Sequence, residues 1–147
     1  MNVYTLAGEQ MKIHQGIANN IEYIERYIPI HLSHFTPYGM YCDPGNPITY
    51  DLSPRFNFSI MLYYGYKGKY KESLSELLRR GGLITLFYLS SNGQAPFGGR
   101  SNQYHLMEAM VSAICEFEAR RYRDLGEEEL AGAFKRAAHL VALSVTR

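Results

Sequence analysis

The chain has 147 residues, 46% hydrophobic and 20% charged, with a formal net charge of +1. That length suffices for one domain with a real core. A near-neutral balance gives no electrostatic case for nucleic acid or for an anionic membrane surface as partner.

The first predicted helix runs from Ala7 to Tyr27, with Ile13, Ile17, Ile21, Ile24 and Ile28 at three- and four-residue spacing forming one apolar stripe. Pro29 is expected to stop it. A long irregular stretch follows, "PIHLSHFTPYGMYCDPGNPITYDLS", dense in Pro and Gly but rich in Tyr, His, Phe and Met. Such a composition predicts an ordered surface loop rather than a disordered one.

Ser53-Pro54 opens the second predicted helix, a capping residue followed by proline at the first helical position. Its stripe is Phe56, Ile60 and Tyr63/Tyr64, and it ends near Gly65. The third starts near Tyr70, carries Leu74, Leu77 and Leu78, and is interrupted at Gly81-Gly82. The segment "LITLFYL" has strand-like residues. No second strand candidate exists to pair with it, so it is assigned to helix.

A second breaker-rich loop, "SSNGQAPFGGRSN", leads to the fourth helix, Asn102 to Asp124, with Ser101 as cap and Leu106, Met110, Ala113/Ile114 and Phe117 as stripe. The fifth spans Glu127 to about Val145 and opens with three glutamates at the positive helix end. The basic pairs Arg79-Arg80 and Arg120-Arg121 read as charges complementing helix C-termini.

The connections alternate long, short, long, short. In an antiparallel array that gathers both long loops at one end. The expectation is an all-α chain of antiparallel helical hairpins, 1–147 as a single domain, and part of an α/α toroid; a plain bundle with two decorated loops is the alternative. Since "SVTR" ends inside a helical pattern, the chain is expected to be a fragment of a larger protein whose remainder is missing.

Cys42 and Cys115 lack CxxC spacing, so neither a zinc site nor a disulfide framework follows. Cys115 falls on an apolar helix stripe and reads as core. His31 and His34 share a helical turn but have no Cys or carboxylate at ligand spacing, so no metal and no cofactor are expected. No apolar run is long enough to span a membrane, and no membrane partner is expected. No signal peptide is visible in "MNVYTLAGEQMKIHQ". A cytoplasmic location is the default, with the periplasm or secretion open to a fragment.

The 13 tyrosines, with no tryptophan, suit a groove for a polar ligand. Candidate chemistry sits on the two loops. The first carries His34, Tyr38, Tyr41, Asp43, Asn46, Tyr50 and Asp51, with Arg55 and Asn57 just inside the next helix. The second carries Arg100, Asn102, Gln103, Tyr104 and His105, with Glu108 one turn on. Two reactions fit these types. β-Elimination from a uronic-acid polymer needs Arg, Asn or Gln to neutralise a carboxylate and Tyr or His to take a proton. Glycoside hydrolysis needs two carboxyl groups, for which Asp43, Asp51 and Glu108 are available. A non-catalytic helical binding or scaffold module is the third possibility. The bland alternative is that the loop groups satisfy one another, with Arg100 paired to Asp51.

At "YGMYCDPGNPITYD" and "GQAPFGGRSNQYHLMEA" the chain resembles uncharacterised bacterial α/α-toroid proteins, of the broad kind seen in heparinase-II/III-like and alginate-lyase-like enzymes. The resemblance implies a carbohydrate-active enzyme, a lyase or glycoside hydrolase, with a polysaccharide or oligosaccharide substrate. It implies that Asn102 neutralises a carboxylate while Tyr104 or His105 takes part in proton transfer. Asp51 joins these as a catalytic candidate. Tyr38, Tyr41, Asp43, Arg55, Arg100 and Gln103 are the substrate-binding candidates. The chain departs from those lyases in having these groups adjacent, and it lacks their second, β-rich domain. Fold analogy alone does not establish activity.

Overall fold

The computed structural model describes residues 2–42, 48–96 and 105–146. Its helices are α1 (Val3–His14), α2 (Ile21–Leu32), α3 (Ile48–Tyr63), α4 (Lys71–Tyr88), α5 (His105–Asp124) and α6 (Glu128–Val145). Among the described residues there is no strand, only an isolated bridge between Phe35 and Tyr41 that closes the first loop on itself. The chain is all-helical, as its periodicity predicts.

Several boundaries differ from expectation. The single first helix is two, because Gly16 turns the chain with φ of 71° and Ile17, counted in the stripe, is 74% exposed. Pro29 does not stop α2, which continues to Leu32. Proline removes only the bond to the carbonyl four residues back, and buried Ile24, Ile28 and His31 hold the helix on both sides of it. Likewise Pro54 lies inside α3, which starts at Ile48 rather than at Ser53. Gly81-Gly82 lies inside an unbroken α4. The expected start of α5 at Asn102, with Ser101 as cap, lies outside the described residues.

Consecutive helices form three antiparallel hairpins. The odd-numbered helices run parallel. Tyr4 Oη bonds Ser53 Oγ, while Gln10 Nε2 donates to the Tyr64 carbonyl further along both helices at 3.0 Å. Leu52 and Val111 share one core cluster, and Tyr63 meets Phe117 two to three turns on, with 5.7 Å between ring centroids. The even helices run back: Arg55 reaches Thr85, while Arg121 donates to the carbonyl of Ser75. Both long connections therefore emerge at one end and the short turns at the other.

The short turns share one device. Gly16, Gly65 and Gly126 have φ of 71°, 84° and 80°. At each, the next residue's amide bonds the carbonyl five back: Ile17 to Lys12, Tyr66 to Met61, Glu127 to Tyr122. This left-handed glycine cap ends α1, α3 and α5 alike.

α3 lies at the centre, against α1, α4 and α5. Its buried apolar residues are Leu52, Phe58 and Met61. The expected stripe of Phe56, Ile60 and Tyr63/Tyr64 is a different face, and Tyr63 is 56% exposed. A helix enclosed on most sides has no single apolar stripe for periodicity to find. Leu106 is also exposed, whereas Met110 and Ile114 are buried. Arg79 and Arg80 are not at a helix end. They sit mid-α4 and both clamp Glu76, at 2.8 and 2.7 Å, which holds its carboxyl down at about 2.

Candidate functional site

At the long-loop end, α3 places Asp51 and Arg55 one turn apart and facing each other. Arg55 is 0% and Asp51 2% exposed. Arg55 Nε and Nη2 both donate to Asp51 Oδ2, and Nη2 also reaches Thr85 Oγ1 at 3.0 Å and Tyr88 Oη at 3.4 Å. The second Asp51 oxygen accepts from the Tyr41 amide. The Tyr41 hydroxyl lies 2.9 Å from His31 Nδ1. Burial opposes the Arg55 charge, but the neighbouring Asp51 carboxylate outweighs it and raises the guanidinium pKa. Burial pushes the Tyr88 hydroxyl up. This connected set ties the first loop to α2, α3 and α4 from within.

The glycines of α4 make room for it. A Cβ on Gly81 would collide with the Gly39 carbonyl and stand 2.9 Å from Arg55 Cδ. A Cβ on Gly82 would stand 2.7 Å from Glu118 Cγ. The pair that looked like a helix break is a slot, admitting the first loop and Arg55 on one side and α5 on the other.

Of the sequence candidates, the structure brings together Tyr41, Asp51 and Arg55, and all three are buried. Tyr38 is exposed, and Asn57 is buried with its amide donating to the Ser53 carbonyl on its own helix. His34 stacks near Tyr41, 5.5 Å between centroids. His105 is the exposed first residue of α5, and Glu108 is buried. Asp43, Asn46, Arg100, Asn102, Gln103 and Tyr104 lie outside the described residues. Cys115 is core, as predicted, its thiol pushed up to about 12 by burial. No group of His, Cys, Asp or Glu among the described residues is arranged to hold a metal ion. No helix there is long and apolar enough to cross a membrane.

No protein family, curated protein or solved structure matches this chain.

A second region stands out at the short-turn end. Three grooves share walls across α4, α3, α5 and α1. The first, along the α3–α4 turn, carries Lys67, Lys69 and Lys71. The second, a cavity of about 270 Å³, shares Lys71 with the first and adds Ser59, Arg120 and Arg121. The third shares Tyr63, Phe117 and Arg120 with the second and adds Arg123. Arg120 lies over the Tyr63 ring at 5.4 Å. Three carboxylates are interspersed: Glu72, Asp124 and Glu116, the last held by Lys135 at 2.6 Å.

The expected α3 stripe is thus part of a groove wall. The sequence does show the pair Arg120-Arg121, which does lie in the last turns of α5. Its further role depends on Lys71 and Ser59 arriving from other helices.

Proposed function

We propose that the chain is a non-catalytic helical-hairpin module that binds a linear acidic polysaccharide along the basic and aromatic track at its short-turn end. The observation that carries this reading is local charge. The track is lined by Lys67, Lys69, Lys71, Arg120, Arg121 and Arg123 in a chain whose net charge is only +1. Six cations against Glu72, Asp124 and Glu116 leave the track locally positive, and a locally positive groove attracts anions whatever the net charge. The Tyr63 ring, over which Arg120 lies but which stays 56% exposed, adds apolar surface for a sugar. The interspersed Glu72, Asp124 and Glu116 can accept hydrogen bonds from the hydroxyls of a glycan.

The test is calorimetric titration with polygalacturonate, its neutral methyl ester and single-stranded DNA. Polygalacturonate should bind at low salt and weaken as salt rises. The methyl ester should bind at least tenfold more weakly. Equal binding of the ester, or tighter binding of DNA, overturns the reading.

One observation favours a second reading, a polysaccharide lyase or hydrolase in an α/α toroid. Both long connections emerge at one end, where His105 and Tyr38 are exposed. Asn102, Tyr104, Arg100, Gln103 and Asp43 are the other candidates of this reading and lie outside the described residues. Absorbance from a new C=C bond tests β-elimination, and release of reducing ends without it tests hydrolysis. Neither product from polyuronates leaves the binding module alone.

A further inference from the structure

The central cavity of the track holds an anomaly. Ser59 is 2% exposed and lines the cavity, yet its Oγ has no hydrogen-bond partner. A serine inside a helix commonly bonds the carbonyl four residues back. Buried polar groups in folded proteins are nearly always partnered, and this orphaned hydroxyl, itself almost inaccessible, belongs to a residue in the cavity wall.

Lys71, Arg120 and Arg121 bring donors to the wall, and Asp124 brings a carboxylate that lies 4.0 Å from Arg120 and 3.9 Å from Arg123. Arg121 Nη1 serves Glu118 Oε1 at 2.8 Å and the Ser75 carbonyl at 3.2 Å. Those bonds fix the guanidinium and leave the Nε and Nη2 edge for another acceptor. Among the described residues, Lys71 pairs with the exposed Glu72, at 3.2 Å. It is also the first residue of α4, whose N-terminus has no side-chain cap. The Lys71 amide itself donates to the Gly68 carbonyl at 3.1 Å, and the helix N-terminus adds positive potential near its side chain. Tyr63 and Phe117 also line the cavity.

We infer that this cavity is a seat for the carboxylate of one sugar-acid ring. The carboxylate takes the free edge of Arg121 as a two-pronged acceptor, with Ser59 Oγ–H and the Lys71 ammonium completing its bonds. The ring lies against Tyr63 and Phe117. The volume of about 270 Å³ falls just below the range of about 300–1,000 Å³ for drug-sized ligands, which suits one ring rather than several. The inference rests on the acidic-glycan reading and narrows it to one subsite.

The experiment titrates the whole chain by NMR with galacturonate, galactose and inorganic phosphate. It is repeated for Ser59→Ala and Lys71→Gln. Galacturonate should shift amides of α3, α4 and α5 around the cavity, and galactose should not. Each variant should weaken galacturonate at least tenfold while keeping the wild-type fold by its remaining spectrum. Wild-type affinity in both variants overturns the seat, as does galactose binding as well as galacturonate. Phosphate binding as tightly as galacturonate overturns the ring contact. If galacturonate binds in this way and the polymer does not, the track falls and the seat stands. If polymer affinity is unchanged in both variants, the track stands and the seat falls.

Discussion

Arg55 and Asp51 face each other one helical turn apart on α3, with neither side chain reaching solvent. A paired charge in the interior is costly to orphan. Removing one partner of a buried pair costs about 3–5 kcal/mol, whereas apolar replacement of both is often near neutral. Arg55→Ala is therefore expected to lose about that much in urea denaturation. The double variant Asp51→Leu/Arg55→Met should lie closer to wild type than either single change. A loss for Arg55→Ala near that of a surface substitution would refute the assignment.

The α4 slot makes a contrasting prediction about glycine. Alanine in a helix interior is about 1 kcal/mol better than glycine where space allows. Gly8, in α1, has nothing within 4 Å of an added Cβ. Gly8→Ala should raise the unfolding midpoint. Gly81→Ala must displace the Gly39 backbone or Arg55. Overpacking of this kind costs about 1–3 kcal/mol. Midpoints that move in the same direction would show that the slot is not tight.

Ser59 separates stability from binding. An unsatisfied buried polar group costs about 1–3 kcal/mol. Ser59→Ala removes that group and should leave the ligand-free protein as stable as wild type or more so. A lower melting temperature would mean that Oγ already has a partner.

His31 links the loop anchor to pH. Burial lowers its pKa below the usual 6.5, and His34 adds to the effect. The folded state thus favours the neutral ring more than the unfolded state does. Its contribution is fully present above pH 6.5 and is lost as pH falls toward the lowered folded value. Wild type should lose melting temperature between pH 7.5 and 5.5, approximate bounds chosen to bracket this window. His31→Phe should show a smaller loss over the same interval, whatever its absolute stability. An equal loss would assign the dependence to another group.

The helical class and the alternating connections were legible in the sequence, because apolar spacing and breakers report local backbone preference directly. The sequence sets Asp51 against Arg100, whereas the structure pairs it with Arg55, one turn on in the same helix. Two prolines and a glycine pair misled for one reason. Pro29, Pro54 and Gly81-Gly82 each weaken an isolated helix, and tertiary burial on both sides restored it.

The sequence by itself determined that this chain folds into helices and where most of them end. Left-handed glycines after α1, α3 and α5 are a property of the local chain. What tertiary structure alone decided is which faces are covered. Phe56, Ile60 and Tyr63 have core spacing, yet they line a groove because α3 buries another face against its neighbours. Ser59, Lys71 and Arg121 are far apart in the chain and become one cavity only when α3, α4 and α5 pack. Periodicity records that a residue is apolar, and only packing determines what lies opposite it.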